Sequence, residues 1–538
     1  MSRLKRLISE IHHRSLWQVR TRARHRSLLA CVSCLALAFL ACGRGDDTAY
    51  TRGSTVIISY CCGNEALNPS HDMGAIKLVY LSLAEHDPKG RLMGRLATSW
   101  EPSPDYREWT YHLRTDVRWH DGVPVTAHDI AFTIDLMRTF RDLDYGAGAF
   151  ESVTVHDDST VTIRSGHGRR LYQTWMVFYP KHLLEHLDPE RLAEWDFWTR
   201  PVGNGPYRFV RLEPETMMEF EANPDFYMGK PRIERVILKF SLDAGLTELL
   251  SGDVDAVPSF PAAGLPTVGG DPRFRVYYHV WGTATRAIYW KNDHPLFRDP
   301  RVRRALTLAI DRRELLGLLG LPDDLPVVDG PLTPDQYRRG ELPEPLPYDP
   351  VRARALLDSA GWRDEDGDGV RERDGRQFRF TALLQTFTSE HSAGQGAVGV
   401  HVQSQLRKVG VQMELQLMDV AVLVQRLESG NFEAVFRFLR FYETPWLRLV
   451  RLGEGAPIGY QNSRVVELID RASRTWVPEE EDRIYGELME IFRADLPVTM
   501  LYPGVSFTVA HRRLRGLSTP WRDDPVGHME ELWLEEEP

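Results

Sequence analysis

Residues 96–135, LATSWEPSPDYREWTYHLRTDVRWHDGVPVTAHDIAFTID, carry the densest structural signals of the 538-residue chain. From Trp109 to Leu113, apolar side chains alternate with polar ones, which is the two-residue period of a strand with one buried face. Thr126, followed three residues later by Asp129, forms a capping box ahead of apolar residues at helical spacing in 130–137. The stretch therefore predicts a short strand followed by an amphipathic helix.

The same mixture of short strands and medium helices continues on both sides of this stretch. Asp299-Pro300 and Asp349-Pro350 each place an N-cap acid before a first-turn proline. Gly361 is a suitable residue to end the second of these helices. Val411 to Leu417 alternates as a strand does. A chain of this length is too long for one core, so the pattern predicts two or three lobes of mixed α/β structure.

The charge distribution argues against a nucleic-acid partner. The chain has a formal net charge of −10. Residues 1–41 carry eight Lys/Arg and one acid, so the remainder has a net charge of −17. Binding a nucleic acid requires a concentrated basic face, which so acidic a protein does not suggest.

The N-terminal segment has the layout of a secretory signal. Basic residues precede an apolar run from Leu28 to Ala41, shorter than the roughly 20 residues that span a bilayer. The run ends at Cys42, which predicts a lipoprotein signal over 1–41, acylation of Cys42 and a polar tether over 42–53. The alternatives are a plain cleaved signal with an incidental Cys42 and a retained membrane helix.

Enzyme and cofactor motifs are scarce. The sequence has no GxSxG elbow, HExxH helix or Walker A loop. One GxGxxG occurs at Gly394, Gly396 and Gly399, but the strand predicted before it ends eight residues too early to present a phosphate-binding turn. We therefore expect no cofactor and no catalytic activity.

A weak calcium candidate remains at Asp364, Asp366 and Asp368, which copy the first half of an EF-hand loop. The twelfth position of that loop should be a bidentate Glu, and here it is Gly375. A solvated turn is the favoured interpretation. His120 and His128 belong to different predicted elements, a strand end and a helix start, and we interpret both as structural.

Ten segments, taken in order, resemble the family-5 extracellular solute-binding proteins, the dipeptide/oligopeptide/nickel-binding proteins of ABC importers. Besides residues 96–135, they are LVYLSLAEHDPKG (78–90), PVGNGPYRFV (201–210), ANPDFYMGKP (222–231), SGDVDAV (251–257), FRDPRVRRALTLAIDR (297–312), YDPVRARALLDSAGW (348–362), LRKVGVQMEL (406–415), NSRVVELIDRA (462–472) and DLPVTMLYP (495–503). Together they cover nearly the whole mature chain.

The resemblance implies a two-lobed periplasmic-binding-protein-like fold of type II, from the large cluster with an inserted subdomain. Lobe I would comprise residues 54–285 and 505–538, and lobe II residues 286–504. The two chain crossings, near 284–288 and 502–506, would act as a hinge. Ligand would then close the lobes by a population shift.

The ligand should lie in the cleft between the lobes, among aromatic faces and a few polar groups. The candidates are Tyr60, Asn64, Trp281, Phe441, Tyr442, Glu443 and Trp446. Peptide-binding members of the family commonly have Asp-Tyr-x-x-Pro in lobe II, whose Asp pairs with the peptide α-ammonium. Here Phe441 replaces that Asp, so we expect weak recognition of a free peptide N-terminus.

The resemblance implies a monomeric, lipid-anchored protein of the periplasm or outer cell surface. It would capture a peptide or other small solute for an ABC permease and ATPase complex. Two alternatives stay open: the same fold binding a metal chelate, heme or sugar, and a sensor or adhesin lipoprotein with no role in transport.

Overall fold

One sheet of ten described strands runs through both halves of the protein. The structure is a computed structural model, and it describes residues 53–60, 75–86, 92–139, 150–165, 176–241, 245–330, 343–385, 394–440, 458–475, 477–518 and 526–535. Its strands are β1 Thr55–Tyr60, β2 Ala84–His86, β3 Leu92–Gly94, β4 Ala97–Pro102, β5 Glu108–Leu113, β6 Phe150–Asp157, β7 Thr160–Ser165, β8 Tyr207–Glu213, β9 Met217–Ala222, β10 Arg235–Phe240, β11 Ala256–Phe260, β12 Phe274–Trp290, β13 Glu372–Arg373, β14 Arg376–Gln377, β15 Arg379–Gln385, β16 Gln412–Met418, β17 Ala434–Arg440, β18 Val498–His511, β19 Leu514–Arg515 and β20 Trp533–Leu534. The order in the large sheet is β16-β15-β17-β12-β18-β11-β1-β10-β9-β8.

Helices cover both faces of this sheet. The α-helices are α1 Ile76–Val79, α2 Ala127–Thr139, α3 Lys181–Leu184, α4 Gly245–Ser251, α5 Leu265–Val268, α6 Pro300–Leu308, α7 Arg312–Leu318, α8 Pro350–Ser359, α9 Gly394–Arg407, α10 Val420–Glu428, α11 Ser463–Arg474 and α12 Pro478–Asp495. Short 3₁₀ turns occupy Pro189–Glu194, Asp196–Thr199, Ala262–Gly264 and Met529–Glu531. Within the described ranges, no helix is both long enough and apolar enough to span a bilayer.

Each half of the sheet contains a parallel group of strands. In the first half, β1 pairs in parallel with β10 and β11. In the second, β15 pairs in parallel with both β16 and β17. The long strands β12 and β18 are antiparallel to each other and join the two groups. We call the half containing β1 lobe I and the half containing β15 lobe II.

Each lobe is stabilised by its own clusters of buried apolar side chains. Lobe I has its largest cluster on one face of the sheet, and this cluster extends into an antiparallel four-stranded sheet, β4-β5-β7-β6, covered by α2. A smaller cluster packs α4 and α5 against the other face. Lobe II has one cluster on each face. Burial of apolar side chains is the main favourable contribution to folding, and each lobe has its own buried clusters on both faces of the sheet.

Local signals in the sequence fix several helix starts. The Asp299 carboxylate accepts the Arg301 N–H at 2.9 Å before α6, and the Asp349 carboxylate accepts the Arg352 N–H at 2.8 Å before α8. Gly361 follows α8 with φ +85°, a conformation that glycine adopts without a side-chain clash. The Thr126 N–H donates to Asp129 Oδ2 at 2.8 Å at the start of α2. These predicted caps are confirmed.

Gly203 and Gly205 permit a close approach of two backbone segments. A Cβ on Gly203 would lie 1.9 Å from the Val79 carbonyl oxygen, and one on Gly205 would lie 2.6 Å from the Val79 carbonyl carbon. That oxygen accepts the N–H groups of Asn204 and Gly205 at 2.9 and 2.7 Å. Any residue with a side chain would therefore clash at this turn.

Candidate functional site

The carboxyl ends of the parallel strands in both lobes face the same junction. In lobe I, β11 runs from Ala256, opposite Ala510, toward Phe260, opposite Phe507. In lobe II, Arg440 at the end of β17 lies opposite Ala284 of β12. Ligands of open α/β sheets bind outside the carboxyl ends of such strands. The junction between the lobes is therefore the candidate site.

The two connecting strands are irregular at this junction. Trp281 is opposite Gly504 and Thr285 is opposite Pro503, so β12 has three extra residues between neighbouring positions of β18. A second shift of register follows directly: Arg286 is opposite Tyr502 and Ala287 is opposite Met500, so β18 has one extra residue there. Bulges of this kind bend strands and interrupt the ladder. They coincide with the crossings predicted near 284–288 and 502–506.

Only one face of the junction is filled by apolar side chains of the described residues. On that face, Leu316, Leu325 and Val327 of lobe II pack against Tyr278, Val280 and Val505 of the connecting strands. On the opposite face, the described members of the lobe I cluster reach as far as Tyr277 in β12, and those of the lobe II cluster begin at Ala287. We call this opposite side the open face, and the candidate cleft lies there.

The predicted aromatic Tyr60 lies beside the open face. It ends β1, is half-buried against the main lobe I cluster and lies opposite Phe240, the last residue of β10. Its hydroxyl accepts the Ala75 N–H at 3.3 Å. Trp281 lies in β12 at the first register slip. The structure therefore brings the positions of these two candidates to the same junction.

The other candidates lie outside the described residues: Asn64, Phe441, Tyr442, Glu443 and Trp446. Cys42, the signal segment 1–41 and most of the tether 42–53 are also outside the described ranges.

Two residues at the junction were missed by sequence reasoning. Ser259 has φ +56° near the end of β11, a left-handed conformation that costs a non-glycine residue about 1 kcal/mol or more and often occurs at functional sites. Arg437 is an exposed cation that follows three buried apolar residues of β17. An arginine in the run AVFRFLR was the available signal, because central strands of parallel groups are normally apolar throughout.

The calcium candidate forms a hydrogen-bonded turn. Asp364 accepts the N–H groups of Gly367 and Gly369 at 2.8 and 3.1 Å, and Asp368 accepts Val370 N–H and Gln377 Nε2 at 2.8 Å each. Oxygens of Asp364, Asp366 and Glu372 lie within 4.8 Å of one another. Glu372 also accepts the N–H groups of Glu365 and Asp366, so the carboxylates of this loop are already hydrogen-bonded within the protein.

A second group of potential metal ligands lies next to an arginine. Ligand atoms of His528, Glu530 and Glu531 lie within 4.8 Å of one another. The carboxylate of Glu530 accepts a hydrogen bond from Arg95 at 2.5 Å, and Arg95 also pairs with Glu85. The buried guanidinium already supplies the positive charge that these carboxylates need. Sequence reasoning missed this network because its members are far apart in the chain.

His120 has a structural role, as predicted. Its Nδ1 accepts the Gly203 N–H at 3.2 Å, so Nε2 carries the proton and donates to the Gly205 carbonyl at 3.1 Å. Burial lowers the pKa of His120 to about 4. The neutral ring therefore holds the glycine turn in place.

A shallow depression of about 350 Å³ lies on the four-stranded sheet, away from the junction. Its lining includes Thr110, Thr162, His156 and Arg164, and the two threonine hydroxyls are 2.8 Å apart. The side chains there bond mainly to one another across the strands. This surface is typical of the solvated face of a half-buried sheet.

Comparison with known proteins identifies the family and the fold. The oligopeptide-binding protein AppA of Bacillus subtilis is 25% identical over 483 residues, which cover 85% of this chain and 86% of AppA. The structure of AppA in complex with a nonapeptide has a TM-score of 0.65 at 23% identity and covers 90% of this chain and 99% of that one. NikZ from Campylobacter jejuni, in complex with Ni(L-His), has a TM-score of 0.69 at 25% identity, with coverage of 89% and 99%.

These likenesses confirm the expected two-lobed, mixed α/β fold of the periplasmic binding proteins. The profile of the bacterial extracellular solute-binding proteins, family 5 Middle, matches residues 91–440, which is well over half of the chain. The protein therefore belongs to the bacterial extracellular solute-binding proteins of family 5.

Proposed function

We propose that this protein is the substrate-binding component of an ABC importer. It captures a peptide or peptide-like solute between its lobes, delivers it to a membrane permease and its ATPase, and catalyses no reaction itself. The observation that carries the proposal is the convergence of strand ends from both lobes on one junction. The sequence likeness to AppA, named as an oligopeptide-binding protein, supports the peptide-like class of solute.

In this proposal the lobes comprise residues 54–285 with 505–538 and residues 286–504. The register slips between Trp281 and Thr285 and between Arg286 and Ala287 support a hinge at this boundary, because the ladder between β12 and β18 is interrupted there. Tyr60 and Trp281 contact the solute, together with Asn64, Phe441, Tyr442, Glu443 and Trp446. The mature protein is a monomer.

A non-peptide solute is the second candidate. Phe441 stands where peptide-binding relatives commonly have an acid, and a buried α-ammonium without a counter-charge is costly. The likeness to NikZ, solved with Ni(L-His), adds a metal chelate to the possible solutes. The proposal also includes a lipid anchor at Cys42, which would hold the protein at the periplasmic or outer surface of a membrane.

The experiment that tests the function begins with native mass spectrometry of the purified protein, which identifies any solute it carries. The solute is then removed by unfolding and refolding, and a pool of tri- to nonapeptides is added. Binding should reduce the radius of gyration in small-angle scattering. It should also stabilise the fold by about 2.7 kcal/mol at a hundredfold excess over Kd.

The site variant is Trp281→Ala. The peptide pool should stabilise this variant much less than the wild type, whereas its thermal midpoint without ligand should be unchanged. A radius of gyration that stays constant with a verified solute bound would contradict closure of the lobes. A metal chelate or heme as the only carried solute would favour the second candidate.

A further inference from the structure

Arg437 is a charged residue of β17, a strand in the interior of the large sheet. Its strand β17 lies between β15 and β12, and the three residues before it, Ala434, Val435 and Phe436, are all buried. Arg437 itself is exposed. Within the described ranges its side chain has no ion pair and no hydrogen bond. An exposed position in such a strand exists only where the covering helices end, so Arg437 marks the rim of the lobe II core.

The register of the sheet places Arg437 on the open face. Val435 belongs to the lobe II cluster of that face, and residues two apart in a strand share a face. Leu383 of the neighbouring strand β15 lies opposite Val435 and belongs to the same cluster. On the other side Arg437 is opposite Ala287, with which the cluster begins at the hinge. The guanidinium therefore stands where the lobe II core stops and the cleft starts.

We infer that Arg437 binds a carboxylate of the captured solute and so selects anionic over neutral solutes. This inference rests on the proposed function. When the lobes close, water leaves the cleft, and an unpaired guanidinium buried there strongly opposes closure. A carboxylate pairs with a guanidinium through two parallel hydrogen bonds. Closure is then favourable with an anionic solute and unfavourable with a neutral one of the same shape.

The solute class that fits an unpaired guanidinium is a peptide or peptide-like acid with a free carboxylate. N-acetylated peptides present that carboxylate without an α-ammonium, so they isolate its contribution to binding.

The test uses the mature protein, freed of carried solute, and N-acetylated tri-, tetra- and pentapeptides as matched pairs of free acid and C-terminal amide. Calorimetry should show that the wild-type protein binds the acids at least about tenfold more tightly than the amides. In Arg437→Gln the preference should fall to within about twofold. The amides should bind this variant as well as or better than the wild type, because no unpaired cation is buried. Arg437→Lys should keep part of the preference for acids.

Arg379→Gln is the control, since Arg379 is also exposed but lies at the opposite end of the neighbouring strand β15. It should keep the full preference for acids. Ligand-free thermal midpoints of all variants should agree within about 2 °C, as expected for exposed positions. Equal binding of acids and amides by the wild type would overturn the role of Arg437 and leave the binding function intact. Binding of neither would contradict the proposed function for peptide-like solutes, and this subsite with it.

Discussion

Arg513 donates to the Asp255 carboxylate at 2.7 Å and thereby joins segments that are 258 residues apart in the chain. The other oxygen of Asp255 accepts the Ile57 N–H at 2.8 Å. Both charged side chains are largely buried. One carboxylate thus ties the first strand, β11 and the C-terminal segment into a single lobe.

Asp255→Asn should therefore lower the free energy of unfolding by about 3 kcal/mol, because it leaves the Arg513 guanidinium buried beside a neutral amide. Urea unfolding measures the loss. Glu535→Gln is the control, since Glu535 pairs with Arg515 at the surface and its loss should cost less than about 1 kcal/mol. Similar losses in both variants would show that the buried pair has no special role.

His120 should make the protein less stable in mild acid. Its native pKa of about 4 lies below the ordinary value of 6.5, so the unfolded chain binds more protons between these pH values. The contribution of His120 is complete above about pH 6.5 and is lost as the pH falls toward 4, to a limit of about 3 kcal/mol.

Urea unfolding between pH 7 and pH 4 measures this slope. His120→Gln should be less stable at pH 7 but should have a flatter pH dependence in this window. His128→Gln is the control, because His128 is exposed beside Asp158 and does not bond the glycine turn. A slope that survives in His120→Gln would assign the acid sensitivity to other groups.

N-acetylation of a peptide should change its affinity for this protein by less than about threefold, because no acid stands at position 441 to pair with the α-ammonium. Calorimetry with matched free and acetylated peptides checks this. Affinity that is lost on acetylation and also lost in Glu443→Gln would instead assign the α-ammonium to Glu443 and restore a conventional peptide site.

Cys42 should be acylated, so the mature protein should incorporate labelled palmitate and partition into detergent. A single Cys directly after an apolar run that ends in alanine motivates this expectation. Cys42→Ser should abolish the label. Label that persists in that variant would place the lipid elsewhere.

Local signals predicted local structure well. The caps at Asp299 and Asp349 and the alternation from Trp109 to Leu113 involve neighbours only a few residues apart, and the structure confirms each of them. The GxGxxG glycines lie within helix α9, in agreement with the rejection of a nucleotide loop. The hinge prediction came from the family resemblance. The only local signal at the three extra residues of β12 is Gly282, because glycine within a strand often marks a bulge.

The residues of the site were harder to predict because burial depends on distant partners. Arg437 has the same neighbours in sequence as a buried strand residue would have, and only the end of the covering helices exposes it. The pair Asp255 and Arg513 gives no local signal. Phe441 was noticed through comparison with the family pattern, because an apolar residue at that place is otherwise unremarkable in sequence.

The position of β18 has a consequence for biosynthesis. This strand comes from near the end of the chain, yet it lies between β11 and β12 in the middle of the sheet. Until residues 498–511 have been synthesised, β11 and β12 each present an unpaired backbone edge toward a vacant position. The large sheet therefore cannot be completed until the synthesis of lobe II is finished. The last long strand to be made is therefore the one that joins the strands on either side of it into a continuous sheet.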